Sequence, residues 1–231
     1  MADALKGASG AFLLNPPPVS CDPYARTEEL GASLAEAARR AYLPKAVVLS
    51  SIGAQHASDV GVIATLNRIE MLLDGVAPAT AFLRSGYFVE TWSEVLEVAI
   101  SDGVLPTFIK PSQKIPMVST IDVGRAAAAL LCEDWSGNRV MELSGPEDWS
   151  ASDVATAFSL VLGRPVVPIP VPPEERSALL AQDGVPTEVA NALLGMYEGI
   201  TNARFMRQGS SEHRRGTVSL EAAVERMGRQ V

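Results

Sequence analysis

The sequence predicts an α/β protein: a parallel β-sheet covered by helices on both faces, with a small, mostly helical C-terminal lobe. Three observations predict it. Short apolar runs such as GAFLL (10–14) and KAVVLSS (45–51) lack polar alternation, as strands buried on both faces do. Between such runs lie segments with apolar residues at helical spacing, so that strand and helix alternate along the chain. Ser150 stands three residues before Asp153 at the head of a further helical pattern, the signature of a capping box.

The elements follow in order. The run from Gly10 to Leu14 reads as a strand, stopped by Asn15 and the prolines at 16–18, which cannot continue a hydrogen-bonded ladder. Leu30, Leu34, Ala37, Ala38 and Ala41 share one face of a helix over 24–41, and 45–51 is the second strand. Val62, Ile63, Leu66, Ile69 and Leu73 give a helix over 62–73, and ATAFL (79–83) a third strand. A helix over 88–100, a strand at 115–119, an Ala-rich helix over 123–131 and a strand at 139–143 come next. The capped helix covers 154–162 and stops near Gly163. In VVPIP (166–170) the prolines suit an edge strand. Helices over 173–181, 187–197 and 220–227, joined by Gly- and Ser-rich loops, complete the lobe. The expected division is a sheet domain over 1–145 and a lobe over 146–231.

At 231 residues and 47% hydrophobic content, the chain can bury one substantial core or a core plus a small lobe. Its net charge of -8 opposes nucleic acid and anionic lipid surfaces. The one concentrated basic cluster, His213-Arg214-Arg215, reads as a solvated face or a contact for an acidic partner. Cys21 and Cys132 are too few for a disulfide framework or a zinc site, which suits a reducing cytoplasm. No signal-peptide pattern is visible, and no stretch approaches the ~20 apolar residues of a membrane span. A cytoplasmic protein acting on a small molecule, with no metal, nucleic acid or membrane, is the expectation.

Four stretches carry a resemblance: LSSIGAQH (49–56), FLRSGYFVETW (82–92), IPMVSTIDVGRAAAALL (115–131) and VMELSGPEDWSASDVATAFSLVLGRPV (140–166). In that order and spacing they resemble the NmrA-like family of atypical short-chain dehydrogenases, from Leu5 onward. The resemblance implies a Rossmann-like, NAD(P)-binding fold. By that alignment Met1 falls in the helix before the family's fourth strand, and no G-x-G-x-x-G or G-x-x-G-x-x-G occurs in the sequence. A partial, truncated Rossmann-like sheet lacking the family's first three strands is therefore expected.

In such sheets ligands lie beyond the carboxyl ends of the strands. The resemblance assigns Asn15, Pro16 and Pro17, with Ser50 and Ser51, to loops lining the cofactor; equally, these residues end strands and satisfy local backbone groups. Asn67 stands where the family often has a lysine, three residues before Glu70. It can donate to a ribose or carboxamide but, being uncharged, cannot lower a phenol's pKa, and no Tyr-x-x-x-Lys pair is present. Gly86 lies where the family has Arg-Pro-Gly and lets the backbone approach a ring. Tyr87 or Phe88 then stacks on a nicotinamide or an aromatic substrate, or else packs in the core. Tyr87 and His56 are the candidate acids, with an exposed loop position as the alternative for His56. Trp92 and Glu90 are assigned to the same cleft, and Asp122 to a helix cap.

Three functions are open. One is an NADPH- or NADH-dependent reductase of small quinone-like or aromatic compounds, which needs only a hydride donor set beside an easily reduced acceptor. The second is a non-catalytic NAD(P) redox sensor. The third is a truncated copy that no longer binds dinucleotide, since each charge-assisted N–H bond of a glycine-rich turn is worth roughly 1.5–3 kcal/mol. Ordinary dinucleotide binding by this chain alone is not expected. An unpaired outer edge on the strand from Gly10 to Leu14 predicts a homodimer across it, or poor solubility.

Overall fold

The computed structural model describes residues 1–16, 22–209 and 211–228. Pro17 and Cys21 lie outside the described residues.

A single turn, α1 (Ala2–Leu5), precedes β1 (Ala11–Leu13), α2 (Pro23–Arg40), β2 (Lys45–Ser51), α3 (Ala64–Leu73) and β3 (Ala79–Ser85). Then come β4 (Tyr87–Phe88), α4 (Leu96–Asp102), β5 (Val104–Thr107), β6 (Ile115–Val118), α5 (Thr120–Cys132) and β7 (Gly137–Ser144). The last third holds β8 (Asp148–Trp149), α6 (Ala151–Leu162), β9 (Val167–Pro170), α7 (Pro173–Gln182), α8 (Thr187–Thr201), β10 (Glu212–Arg215) and α9 (Leu220–Gly228).

The central sheet is all parallel, in the order β1-β2-β3-β7-β10. Val48 and Phe82, paired in register, pack with Leu34, Ala38, Ile69 and Leu73 of α2 and α3. Val47, Ala81, Leu83 and Met141 face Val123, Ala127 and Leu130 of α5 on the other side. Burial on both faces is why these strands read as continuous apolar runs. A further core joins Val154 and Phe158 of α6 and Leu220 and Val224 of α9 to Trp92, Leu96 and Leu105.

Local chemistry sets the element ends. Asp22 accepts from the Tyr24 N–H, with Pro23 opening α2. The Lys45 ammonium donates to Leu131 O at 3.0 Å, placing a cation at the C-terminus of α5. The capping box forms as read: Ser150 Oγ accepts from Asp153 N at 3.2 Å, and Asp153 Oδ2 accepts from Ser150 N at 2.8 Å. Gly163, left-handed at φ +66°, ends that helix. In β9, Val167 N and Val171 N donate to Gly103 O and Thr107 O beside β5. The alternate positions, Pro168 and Pro170, carry no N–H for the outer edge, so that edge cannot donate to another strand.

Four expectations change. The stretch 88–100 is not one helix but a 3-10 segment, Val89–Val95, followed by α4. The lobe carries more strand than expected: besides the edge strand read in VVPIP, which forms as β9 beside β5, β8 pairs with β6 and β10 adds a strand to the central sheet. His213, Arg214 and Arg215, read as a solvated face, lie in β10, where His213 and Arg215 are exposed but the arginines are bonded within the chain. Arg214 and Arg139 each bridge both Glu133 and Glu212, at 2.7–3.1 Å, and Arg215 donates to Gly145 O and Pro146 O. A strand reading EHRR has no apolar signal, because ion pairs hold it. Finally, the α5 cap is Ser119, and Asp122 instead accepts from the Thr217 and Val218 N–H groups at 2.9 and 2.8 Å.

Candidate functional site

One register step toward the carboxyl ends from Val48, Phe82 and Val140, the same sheet face turns polar. Ser50, Arg84, Glu142 and His213 form one row across β2, β3, β7 and β10. The Arg84 guanidinium grips Glu70 of α3 with two bonds, Nε to Oε1 at 2.8 Å and Nη2 to Oε2 at 2.6 Å, and Ser50 Oγ donates to Glu70 Oε1 at 2.5 Å. The two ion-paired side chains are only 9% and 11% exposed. Arg84 Nη1 donates to Gln208 Oε1 at 3.3 Å, and Gln208 N donates to both Glu142 oxygens at 2.9 and 3.1 Å.

Glu142 is fully buried. Burial pushes its carboxyl above the usual range, against the Gln208 N–H and the Arg84 and Arg207 charges, which favour the carboxylate. Arg207 pairs with Asp148 at 2.5 Å, and Ser144 Oγ meets His213 Nε2 at 3.0 Å. Burial first, then Arg207 and Arg215, hold the His213 imidazolium below its ordinary value. Residues 204–209 thus lie over the sheet end, anchored on Glu142 and Asp148, and 211–218 continue along its edge, anchored on Ser144 and Asp122.

Beside this network is an aromatic cluster. The Tyr87 and Tyr197 hydroxyls meet at 3.2 Å. The Tyr87 and Trp92 rings lie 6.2 Å apart at 56°, and Phe108 stands edge-on to Tyr197 at 5.0 Å. Arg176 lies 5.3 Å over Phe108. Burial, then Tyr197, push the Tyr87 phenol well above its usual value, and burial raises Tyr197 as well. Trp92 Nε1 is buried with no hydrogen-bond partner among the described residues.

Of the residues singled out in the sequence, Asn15 follows β1, donating through Nδ2 to Thr27 Oγ1 at 3.0 Å while its buried Oδ1 has no partner among the described residues. Pro16 is exposed. Ser51 Oγ donates to Ile52 O at 2.9 Å, and Asn67 Nδ2 to Ala54 O at 2.8 Å. A Cβ on Gly86 would lie 2.6 Å from Pro116 O, so the backbone that approaches closely there is the chain's own β6. Tyr87 and Trp92 come together, whereas Phe88 turns to the α5 core. His56 is half-buried, 3.4 Å from Gln55 Nε2, and Glu90 accepts from Ser119 Oγ and Thr120 N at the start of α5. Sequence reasoning missed Tyr197, Gln208 and the Glu70–Arg84–Glu142 network. Glu142 left a signal, a lone charge inside the apolar run VMEL; Tyr197 left none. Among the described residues no group of three or more His, Cys, Asp or Glu is arranged to hold a metal, and no helix is long and apolar enough to cross a membrane.

A family described as NmrA-like matches residues 1–222. Among curated proteins, an NAD(P)H azoreductase of Xenophilus azovorans is 24% identical over 171 residues, 73% of this chain and 59% of that protein. An agroclavine dehydrogenase of Claviceps purpurea is 30% identical over 129 residues, 54% of this chain and 44% of that one. The chain thus spans 59% or less of the length of these relatives. Among solved structures, the NADPH-dependent quinone oxidoreductase of Escherichia coli in complex with NADPH superposes with a TM-score of 0.78 at 21% identity, covering 98% of this chain and 79% of that one. The triphenylmethane reductase of Citrobacter sp. with NADP(H) does so with a TM-score of 0.71 at 20% identity, covering 99% and 78%. At these identities the superpositions establish the shared α/β, Rossmann-like fold.

Proposed function

The chain belongs to the NmrA-like family, and from that premise we propose that it serves as an NADPH- or NADH-dependent reductase of small quinone-like or aromatic compounds. The observation that carries this reading is the cluster of Tyr87, Trp92 and Tyr197 beside the carboxyl ends of the sheet, where ligands of such folds bind. Aromatic walls with a few polar groups suit a flat aromatic substrate. The names of the azoreductase, quinone oxidoreductase and triphenylmethane reductase relatives support the same substrate class.

The residues present fit one half of a dinucleotide. Asn15 Oδ1, buried and without a partner among the described residues, is placed to accept from a carboxamide or ribose hydroxyl. Pro16 and Ser51 edge the same end of the sheet, and Ser50, Asn67 and Gly86 hold its floor through their own bonds and close packing. The sequence has no glycine-rich turn for the pyrophosphate. A bound reduced nicotinamide supplies a hydride. Trp92 bounds the aromatic region, Tyr87 donates a hydrogen bond to the acceptor's oxygen, and His56, half-buried after β2, relays a proton.

A second reading, a non-catalytic NAD(P) sensor, draws on two observations: no Tyr-x-x-x-Lys pair, and a Tyr87 phenol held too high to act as an acid matched to neutral pH. The setting proposed is cytoplasmic. We also propose a homodimer across β1, which pairs only with β2 among the described residues, next to Leu14 at 47% exposure. A soluble monomer in sedimentation at tens of micromolar removes the dimer. The functional test is a fluorescence titration with NADPH and NADH, followed by NADPH oxidation with quinones. Saturable micromolar binding with quinone-dependent oxidation supports the reductase, binding without turnover supports the sensor, and no binding to millimolar refutes both.

A further inference from the structure

We propose that Tyr197 of α8 completes a binding site for a carbonyl or phenolate oxygen of an aromatic ligand. The Tyr87–Tyr197 hydroxyl pair and the Trp92 indole N–H are its donors. This deepens, and rests on, the reductase reading for its substrate class, but the binding itself does not require a dinucleotide.

Two hydroxyls 3.2 Å apart hold two hydrogens, of which one is spent between them. The other is left for a third partner; within the chain, the Thr91 side chain bonds to Tyr87 and the Glu94 charge acts on both phenols. Both phenols stay protonated across the ordinary pH range, because burial raises both. The pair is therefore a standing donor rather than a proton source, and both tyrosines are part-buried, each keeping some surface exposed.

Trp92 adds an independent observation. Its side chain is 5% exposed and its Nε1 has no partner, one of only two such buried side-chain atoms among the described residues. An unmade buried donor costs about 1–3 kcal/mol. Indole can only donate, and its ring stands 6.2 Å from that of Tyr87, so the group that satisfies it must be an acceptor.

Tyr197 is fixed in place by its neighbours. Gly61, at φ +51°, lies so close to α8 that a Cβ there would stand 2.1 Å from Met196 N and 2.2 Å from Ala192 O. The edge of Phe108 against Tyr197 at 5.0 Å holds the ring from the other side. A rigid donor loses little freedom on binding, which favours selectivity. The lobe thus contributes the residue that distinguishes an oxygen-bearing ring system from a plain hydrocarbon.

The test uses two planar tricyclic probes of equal charge that carry C=O or C–H at ring positions 9 and 10, 9,10-anthraquinone-2-sulfonate and anthracene-2-sulfonate, titrated calorimetrically into the full chain. Their equal charge cancels repulsion by the acidic protein. The wild type should prefer the quinone by about tenfold. Tyr197→Phe, which keeps the ring and its packing, should lower that preference to about twofold or less at unchanged melting temperature, with Tyr87→Phe behaving alike. Trp92→Phe should lower it too, and if that variant fails to fold the two tyrosine variants decide. An unchanged preference in Tyr197→Phe, or none in the wild type, overturns the proposal. NADPH oxidation is followed in the same samples. A preference lost in Tyr197→Phe without turnover supports this site and removes the reductase reading. Turnover without a preference keeps the reductase reading and removes this site.

Discussion

Replacing Glu70 by Gln tests whether the polar row at the sheet end is held by charge. In the wild type the Arg84 guanidinium has two bonds to Glu70, at 2.6 and 2.8 Å, and one at 3.3 Å to Gln208 Oε1, with both ion-paired side chains about nine-tenths buried. Removing one partner of a buried pair costs roughly 3–5 kcal/mol, because the remaining charge is left in a poorly solvating place. Glu142, next to Arg84 on β7, offsets part of this, so the lower end, about 3 kcal/mol, is expected for Glu70→Gln. Arg84→Met leaves two carboxylates without their cation and should cost more, about 4–5 kcal/mol. For a chain of this size 3 kcal/mol corresponds to a fall of about 6–12 °C in melting temperature. Urea unfolding followed by tryptophan fluorescence at pH 7 measures both. The Arg84→Met deficit should shrink toward pH 5, where the buried Glu142 takes up a proton more readily. A loss under 1 kcal/mol for Glu70→Gln, or a pH-independent loss for Arg84→Met, would refute the reasoning.

Three further outcomes follow from other parts of the molecule. Burial raises the Glu142 pKa above 4.5, so its charged form is the costlier one in the fold; Glu142→Gln should be more stable than the wild type at pH 7, with the gap closing as pH falls through the raised pKa toward 4.5 in thermal melts. The side-chain bonds from Arg214 and Arg139 lower Glu133 from 4.5 to about 2, so its contribution is complete above pH 4.5 and is lost as pH falls through about 2. Hydrogen exchange corrected for intrinsic rates should show β10 losing protection over that window and in 1 M salt, with a flatter pH profile in Glu133→Gln; the effect is small because the cluster is part-exposed. Gly61→Ala combines left-handed strain with a backbone clash on α8 and should destabilise by roughly 2–5 kcal/mol in urea unfolding, and a loss below 1 kcal/mol counts against the packing described.

The sequence by itself determined the elements whose cause is local or periodic. KAVVLSS and ATAFL are strands because both faces of the sheet are buried, and the helix after Ser150 begins where its reciprocal caps begin. Motif order carried the family. What depends on partners far along the chain was settled by tertiary structure alone. EHRR becomes a strand because Glu133 and Arg139, some 70–80 residues earlier, pair with it. Asp122 turns from a cap position to hold Thr217 and Val218, and the space beside Gly86 is taken by Pro116 rather than left for a ligand ring. Tyr197 meets Tyr87 across 110 residues, a juxtaposition that no local pattern encodes, because side-chain periodicity reports which face is buried and not which residue lies opposite.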